Sequence, residues 1–310
     1  MKSQQKIELS IVITTKDRYH DLLDCIKSVI NDNKRFVDWE LIIIDDGSSD
    51  DTKTLNKILL SKDKYKIIHH KKSLGMINSR NEGLLVSSGD SVILIDDDNV
   101  IHPNMVNVLV DVAKNKSNGI VGATICYFDT KEKYFDYQKI NLYTGRTRGH
   151  LSKKKRKWYS SDGVPNVFLI RRDVIKKCGL FDEALLSDYS EPDYSFNAKK
   201  YGINCVVADA AITYHKLPRV SDVIRHIGGH RKVVAYCLIR NRIIFVSRYG
   251  NFLEKMIFCT IFSFFWTLLY LLLALMHGRS DLIKVYLLGC FDGWLYVVTH
   301  TVHNSMPRDL

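Results

Sequence analysis

Carboxylates gathered in three places carry the chemistry this chain has to offer: Asp45-Asp46-Gly47-Ser48, Asp96-Asp97-Asp98 and Glu191-Pro192-Asp193. The first two follow short apolar runs, Leu41-Ile42-Ile43-Ile44 and Val92-Ile93-Leu94-Ile95. Runs so rich in β-branched residues, stopped by Asp, Gly or Ser, read as buried parallel strands ending in turns. The third cluster is expected at a strand end as well. Ligands of open α/β sheets bind at the carboxyl ends of the strands. Carboxylates collected there repel one another unless a cation sits among them. A divalent metal carrying a phosphorylated ligand meets that need.

The elements that must position these groups alternate strand and helix. Strands are predicted over 7–14, 41–45, 65–69 and 91–96, and helices over 19–30, 50–60 and 75–87, with Asp50 and Asp51 capping the second helix. Such alternation implies βαβ units and a mostly parallel sheet, a nucleotide-binding half-domain ending near Asp98. Beyond it, Pro103 fits the first turn of a helix reaching Lys114, and 120–128 reads as a strand. A polar, aromatic stretch then ends in Lys153-Lys154-Lys155-Arg156-Lys157-Trp158, either a lid, a lipid-facing patch or a solvated loop. Strands over 167–170, 205–208 and 212–214 and helices over 172–178 and 194–201 complete this part, the helices closed by Gly179 and Gly202.

Length and composition set the frame. The 310 residues, 46% hydrophobic, suffice for a full core and exclude general disorder. A net charge of +11 points to an anionic partner: nucleic acid, a membrane surface or a phosphorylated substrate. Seven scattered cysteines without a Cys-x-x-Cys pair read as reduced thiols, not as a zinc site or a disulfide framework. Met1–Glu8 has no apolar signal-peptide core. Met256–Met276 is apolar over a length that could cross a bilayer, and a second stretch, Val285–Val302, carries Asp292. Arg231, Lys232, Arg240, Arg242, Arg248 and Lys255 precede the first stretch, and by the positive-inside rule keep the N-terminal part cytoplasmic. The stretch either spans the membrane or lies in its interface.

Several motifs recur together. Ile11-Val12-Ile13-Thr14-Thr15-Lys16-Asp17-Arg18, Asp45-Asp46-Gly47-Ser48-Ser49-Asp50, Gly75-x-x-x-Ser79-Arg80-Asn81-x-Gly83, Gly89-Asp90 and Asp96-Asp97-Asp98 resemble, in order and spacing, the family 2 glycosyltransferases of the GT-A fold. Leu169-Ile170-Arg171-Arg172, Gly179-Leu180-Phe181-Asp182-Glu183 and Glu191-x-Asp193 followed by Gly202 continue the pattern. The tail, with Arg240-Asn241 and Asp292-Gly293, is similar to membrane-associated members of the rhamnosyltransferase-like branch.

The resemblance implies an α/β GT-A fold: a nucleotide-sugar half over 1–100, an acceptor-binding catalytic half over 101–218 and a helical membrane-associated region over 219–310. It implies hexosyl or deoxyhexosyl transfer, with inversion, from a UDP-, GDP- or dTDP-sugar to a lipid-linked glycan or polysaccharide at the cytoplasmic membrane face. Asp98 would hold Mg2+ or Mn2+ against the departing diphosphate, Asp96 or Asp97 would meet the ribose or share the metal, and His215 would stand near the metal or diphosphate. Asp45 or Asp46 would accept a hydrogen bond from the base, with Thr14, Thr15 and Arg18 lining the same pocket. Arg80 would reach the nucleotide or diphosphate, or bridge to the Asp46 turn. Glu191 would take the acceptor's proton, with Asp193 as the other candidate or as a helix cap. The family usually shows another acid before the base; here it is Ser190.

Two rival readings use the same residues differently. A polyprenyl-phosphate sugar synthase would transfer to a lipid phosphate, which is already deprotonated and needs no strong base. A basic nucleic-acid-binding protein would use the positive charge and Lys153–Lys157, but recognition motifs and zinc spacing are lacking. A dehydrogenase is disfavoured because no Gly-x-Gly-x-x-Gly follows the first strand.

Overall fold

Four apolar segments lie side by side as parallel strands in the order β3-β2-β1-β4: β1 (Leu9–Thr15), β2 (Trp39–Asp45), β3 (Tyr65–His69) and β4 (Ser91–Asp96). β1 and β2 are buried along their whole length, as interior strands covered on both faces must be. The computed structural model describes residues 7–32, 38–55, 64–216, 223–224, 227–228 and 231–306. The first six residues, and the end of the helix expected over 50–60, lie outside these. Its start, Asp51–Leu55, is a 3-10 turn.

Helix α1 (Tyr19–Asp32) turns Leu22, Cys25, Ile26 and Val29 into the core, the spacing of one helical face. Helix α2 (Met76–Val86) lies against β1 through Gly83, where a Cβ would stand 2.3 Å from Val12 Cγ1. Only glycine permits that approach. The sheet continues through β5 (Asn99–Ile101), β6 (Asn118–Tyr127), β7 (Lys133–Phe135), β10 (Trp158–Ser160), β11 (Val167–Arg171) and β12 (Asn204–His215), making ten strands among the described residues. β8 (Tyr137–Asn141) and β9 (Arg146–His150) form a separate hairpin. Helices α3 (Met105–Ala113), α4 (Arg172–Cys178) and α5 (Ser190–Lys199) complete this region.

Several expectations need correcting. Pro103 stands before α3, whose N-cap is Asn104 in a left-handed conformation. The two strands expected over 205–214 are one, β12, whose register slips between Ala208 and Ile212; this bulge looked like a break in the sequence. β5 and the short strands 133–160 were not foreseen, because their exposed polar residues lack an apolar alternation. Glu191 and Asp193 lie in the first turn of α5, not at a strand end.

The chain divides into two compact units. The first comprises Met1–Lys139, Gly149–Phe181 and Tyr194–Leu217; the second comprises Ile140–Arg148, Asp182–Asp193 and Pro218–Leu310. The second unit is built on α6 (Lys232–Tyr249), buried from Val234 to Val246 on nearly every side. An Asn251–Glu254 capping box starts α7 (Phe252–Ile257), which runs through a π turn (Phe258–Phe262) into α8 (Ser263–Met276). Helix α9 (Ile283–Thr299) approaches α6 at Gly289 and Gly293, where Cβ atoms would stand 2.5 Å from the Tyr236 carbonyl oxygen and 2.8 Å from Ile243 Cδ1. Phe252–Met276 and Ser280–Thr299 are long and apolar enough to cross a membrane by length and composition.

Candidate functional site

The order of strands turns at the β1–β4 boundary, with β2 and β3 continuing on the far side of β1. Open sheets bind ligands outside the carboxyl ends of the strands at such a point. Thr14 is in register with Asp96 there, and Thr15 with Asp45. Asp96 ends β4, Asp97 and Asp98 form the turn, and Asn99 begins β5, which pairs with the end of β12 so that Asn99 faces His215.

Hydrogen bonds draw these ends into one array. Thr15 Oγ1 donates to Asp97 Oδ2 at 2.7 Å. The half-exposed Arg18 guanidinium donates to Asp97 Oδ1 at 3.2 Å and Asp98 Oδ2 at 2.6 Å. His215 Nε2 stands 3.1 Å from Asp98 Oδ1, and Asn99 Nδ2 donates to the same oxygen at 3.0 Å. The buried Arg80 donates to Asp96 Oδ1 at 2.7 Å and lies over the Phe168 ring. Burial, aided by the neighbouring Asp98 and Asp96 charges, pushes the Asp97 carboxyl up to about 7 despite Thr15 and Arg18. Burial acts on Asp98 in the same sense, but His215 and Arg18 overcome it and hold that carboxyl below its ordinary value. A cluster so divided favours a positive guest.

The Asp45–Asp46 turn is organised differently. Asp45 Oδ1 accepts from the Ser48 amide at 2.9 Å, and Oδ2 stands 2.7 Å from His69 Nδ1. Asp46 accepts from Ser73 Oγ (2.6 Å) and the Leu74 and Gly75 amides (2.7 and 2.9 Å), and meets His70 Nδ1 at 2.8 Å. Burial would raise this carboxyl, and these bonds hold it below its ordinary value. Asp46 therefore fixes the loop that opens α2. Of the residues expected to line one pocket, Thr15 and Arg18 set their side chains on Asp97 and Asp98, while the Thr15 carbonyl oxygen accepts from the Asp46 amide at 2.9 Å and so joins the two turns. The histidine partners were missed, although pairing β2 with β3 sets Asp45 opposite His69.

Other motif residues lock loops around the site. Asn81 binds the Phe181 backbone in both directions, at 2.9 Å each way. Arg172 donates to the Gly89, Leu84 and Ser87 carbonyl oxygens, closing the bend before β4. Asp50 accepts from the Tyr19 and Thr52 amides, the capping role expected of it.

In the second unit, α6 grips the segment that carries Glu191. Arg240 Nη2 donates to the Ala184 and Leu185 carbonyl oxygens at 2.7 and 3.1 Å, and Asn241 Nδ2 to those of Leu185 and Asp188 at 2.8 and 2.6 Å. Arg248 pairs with Asp193 at 2.9 Å and Asp182 at 2.7 Å, while the Tyr249 hydroxyl donates to Asp193 Oδ1 at 3.0 Å. Burial outweighs both partners and leaves the Asp193 carboxyl above its ordinary value. Glu191 accepts from Ser190 Oγ at 2.8 Å. Nearby Asp188 has an enclosed Oδ2 without a hydrogen-bond partner among the described residues, and burial together with the Glu191 charge pushes its carboxyl to about 6. Arg240, Arg242 and Arg248, read from the sequence as cations flanking a membrane segment, are engaged inside this unit. Their main partners lie 28 to 66 residues away along the chain, and no short-range pattern marks them.

No group of three or more His, Cys, Asp or Glu is disposed to hold a metal by itself among the described residues. Asp98 and His215 nevertheless offer a hard oxygen and an imidazole nitrogen, with Arg18 now supplying the positive charge these carboxylates need. Mg2+ and its kin commonly take few protein ligands and complete their shell with substrate phosphates. The residues present fit such a cation, one that arrives with a diphosphate.

Comparison with known proteins matches residues 10–179 to the family described as "Glycosyl transferase family 2". "Poly(ribitol-phosphate) beta-N-acetylglucosaminyltransferase TarP" of Staphylococcus aureus (strain N315) is 34% identical over 117 residues, covering 37% of this chain and 36% of that protein. "GalNAc(5)-diNAcBac-PP-undecaprenol beta-1,3-glucosyltransferase" of Campylobacter jejuni is 35% identical over 109 residues, 34% of each chain. The chain thus spans less than half the length of these curated relatives. Among solved structures, the mannosyltransferase PcManGT of Pyrobaculum calidifontis with GDP-Man and Mn2+ has a TM-score of 0.61 at 9% identity, covering 96% of this chain and 89% of that one. GalNAc-T7 with UDP, GalNAc and Mn2+ also has 0.61, at 17% identity, covering 83% and 54%. At such identities the likeness is of fold.

Proposed function

Because this chain belongs to glycosyl transferase family 2, we propose that it moves a sugar from a nucleotide-sugar donor to a lipid-linked glycan or polysaccharide acceptor. The transfer is metal-dependent, proceeds with inversion and takes place at the cytoplasmic face of a membrane. One observation carries this reading: the Thr15–Asp97–Arg18–Asp98–His215 array at the carboxyl ends of β1 and β4. Asp98 and His215 would hold Mg2+ or Mn2+, which when bound neutralises charge developing on the departing diphosphate. Thr15 and Asn99 fix the turn that carries these donors. Arg18, half-exposed on its carboxylates, turns to the phosphate oxygens once their charge is met otherwise. Glu191 takes the proton of the acceptor hydroxyl as that oxygen bonds to the anomeric carbon and the bond to the diphosphate breaks. Asp193, engaged by Arg248 and Tyr249, is the weaker candidate for that proton.

The test is thermal stabilisation by UDP, GDP, dTDP and CDP, each with and without Mn2+, on the wild type and Asp98→Ala. Stabilisation by one nucleotide that needs metal and disappears in the variant is expected. No shift with any of them would overturn the reading.

A further inference from the structure

We propose that the apolar C-terminal helices lie in the plane of a membrane surface and do not cross the bilayer, with anionic lipid as the partner of their exposed face. The proposal deepens the membrane reading above and rests on it. Its basis is what the middle of each helix touches within the second unit.

A helix that spans puts its central turns in hydrocarbon about 30 Å thick. Residues Phe252–Met276 run through α7 and α8 as one apolar stretch of 25 residues. Near its centre, Trp266 Nε1 donates to the Thr144 carbonyl oxygen at 2.6 Å, in the turn of the β8–β9 hairpin. One turn further, the Tyr270 hydroxyl accepts from the Arg242 guanidinium at 3.0 Å, and Arg242 also lies over the Trp266 ring. That hairpin turn exposes Tyr143 and leads into the exposed Arg146. If α8 crossed a bilayer, this irregular backbone would sit at the hydrocarbon centre, where lipid-exposed loops do not occur. Helix α9 meets the same conflict independently. Asp292, past its midpoint, accepts from the Ser305 amide and hydroxyl at 2.6 and 2.7 Å, so the non-helical segment after α9 folds back along it. The His303 carbonyl oxygen, in that segment, accepts from Arg240.

Lying flat removes both conflicts. Ser263, Thr267, Tyr270 and Ala274 form the buried side of α8, and the opposite side exposes Phe264, Phe265, Leu268, Leu272 and Leu275 at intervals of three and four. Phe264 stacks on Trp294 at 5.6 Å, which joins this stripe to the exposed Phe291 of α9. So continuous an apolar face exceeds what scattered surface side chains provide. Lys255 and the exposed Lys284 stand at the starts of the two apolar stretches, residues 218–310 carry eleven Lys and Arg against five Asp and Glu, with Arg240, Arg242 and Arg248 turned inward, and the chain carries +11 overall. An apolar stripe bordered by such charge is complementary to anionic headgroups over an acyl layer.

The experiment places one reporter at the end of α8 and one just past the end of α9. His277→Cys and Thr301→Cys are expressed in cells and treated with a membrane-impermeant maleimide before and after permeabilisation, with the wild type as background. Reactivity of both only after permeabilisation is expected, and reactivity of both before it would mean that the Phe252–Met276 stretch crosses and would overturn the proposal. Reactivity from opposite sides would mean a crossing and would overturn the proposal. Purified protein should bind phosphatidylethanolamine–phosphatidylglycerol vesicles, and Phe265→Glu with Leu268→Glu should weaken that binding at least about tenfold. A stable dimer that ignores vesicles would assign the face to a second copy, and also overturn it. Nucleotide-dependent stabilisation of the same variants reports on the first unit, so failure here stays distinguishable from failure of the transferase reading.

Discussion

Replacing Arg248 by Met tests whether the Glu191 segment is held by charge. The Arg248 side chain is 18% exposed, between Asp193 at 12% and Asp182 at 30%. Removing one partner of a buried ion pair costs about 3–5 kcal/mol, mostly because the remaining charge is left without compensation. The partial exposure of Asp182 sets the expectation near the lower end, about 3 kcal/mol. The Asp193 carboxyl already lies above its ordinary value, and without Arg248 it should rise further. A carboxyl whose folded value is raised binds its proton more readily folded than unfolded, so stability falls as pH rises through that window. Arg248→Met should therefore lose more at pH 8 than at pH 5. Adding Asp193→Asn should recover about half the loss, since the stranded charge is gone. Urea unfolding in detergent micelles at both pH values measures all of this. A loss below about 1 kcal/mol, the range of an exposed pair, would refute the reasoning. So would a double variant no more stable than the single one.

Other outcomes follow from the same contacts. Asp188 has a carboxyl raised to about 6, so it makes the protein less stable as pH rises from about 4 to about 6; Asp188→Asn should remove that slope and gain up to about 3 kcal/mol at pH 8 by denaturant titration. Gly83→Ala should lose about 1–2 kcal/mol, because overpacking against Val12 exceeds the gain in helix propensity, and Gly83→Val more; unchanged melting would contradict the α2–β1 approach. Glu191→Gln should slow transfer of labelled sugar to membrane-derived acceptor by about 10²–10⁴-fold while leaving nucleotide stabilisation intact. An unaffected rate would favour a lipid-phosphate acceptor, which brings its own negative oxygen.

Much of the first unit was legible in the order of residues. Parallel strands buried on both faces must be continuous apolar runs, so β1, β2 and β4 announced themselves, and the acidic turns that stop two of them had to fall at carboxyl ends. The proximity of Asp98 and His215 was anticipated only through family resemblance, because 117 residues separate them; the β5–β12 pairing is what joins them. Tertiary structure alone decided the rest. Asp45 and Asp46 look alike in sequence, yet one meets Ser48 and His69 while the other gathers the loop from His70 to Gly75. Arg240, Arg242 and Arg248 read as surface cations beside an apolar segment, and folding turned all three inward onto hydrogen-bond acceptors elsewhere in the second unit. Periodicity reports which side of an element is apolar. It carries no information about which distant polar group will be enclosed beside it, and at enclosed positions an unmade hydrogen bond costs more than a made one contributes. That asymmetry left the partners of α6 to the fold.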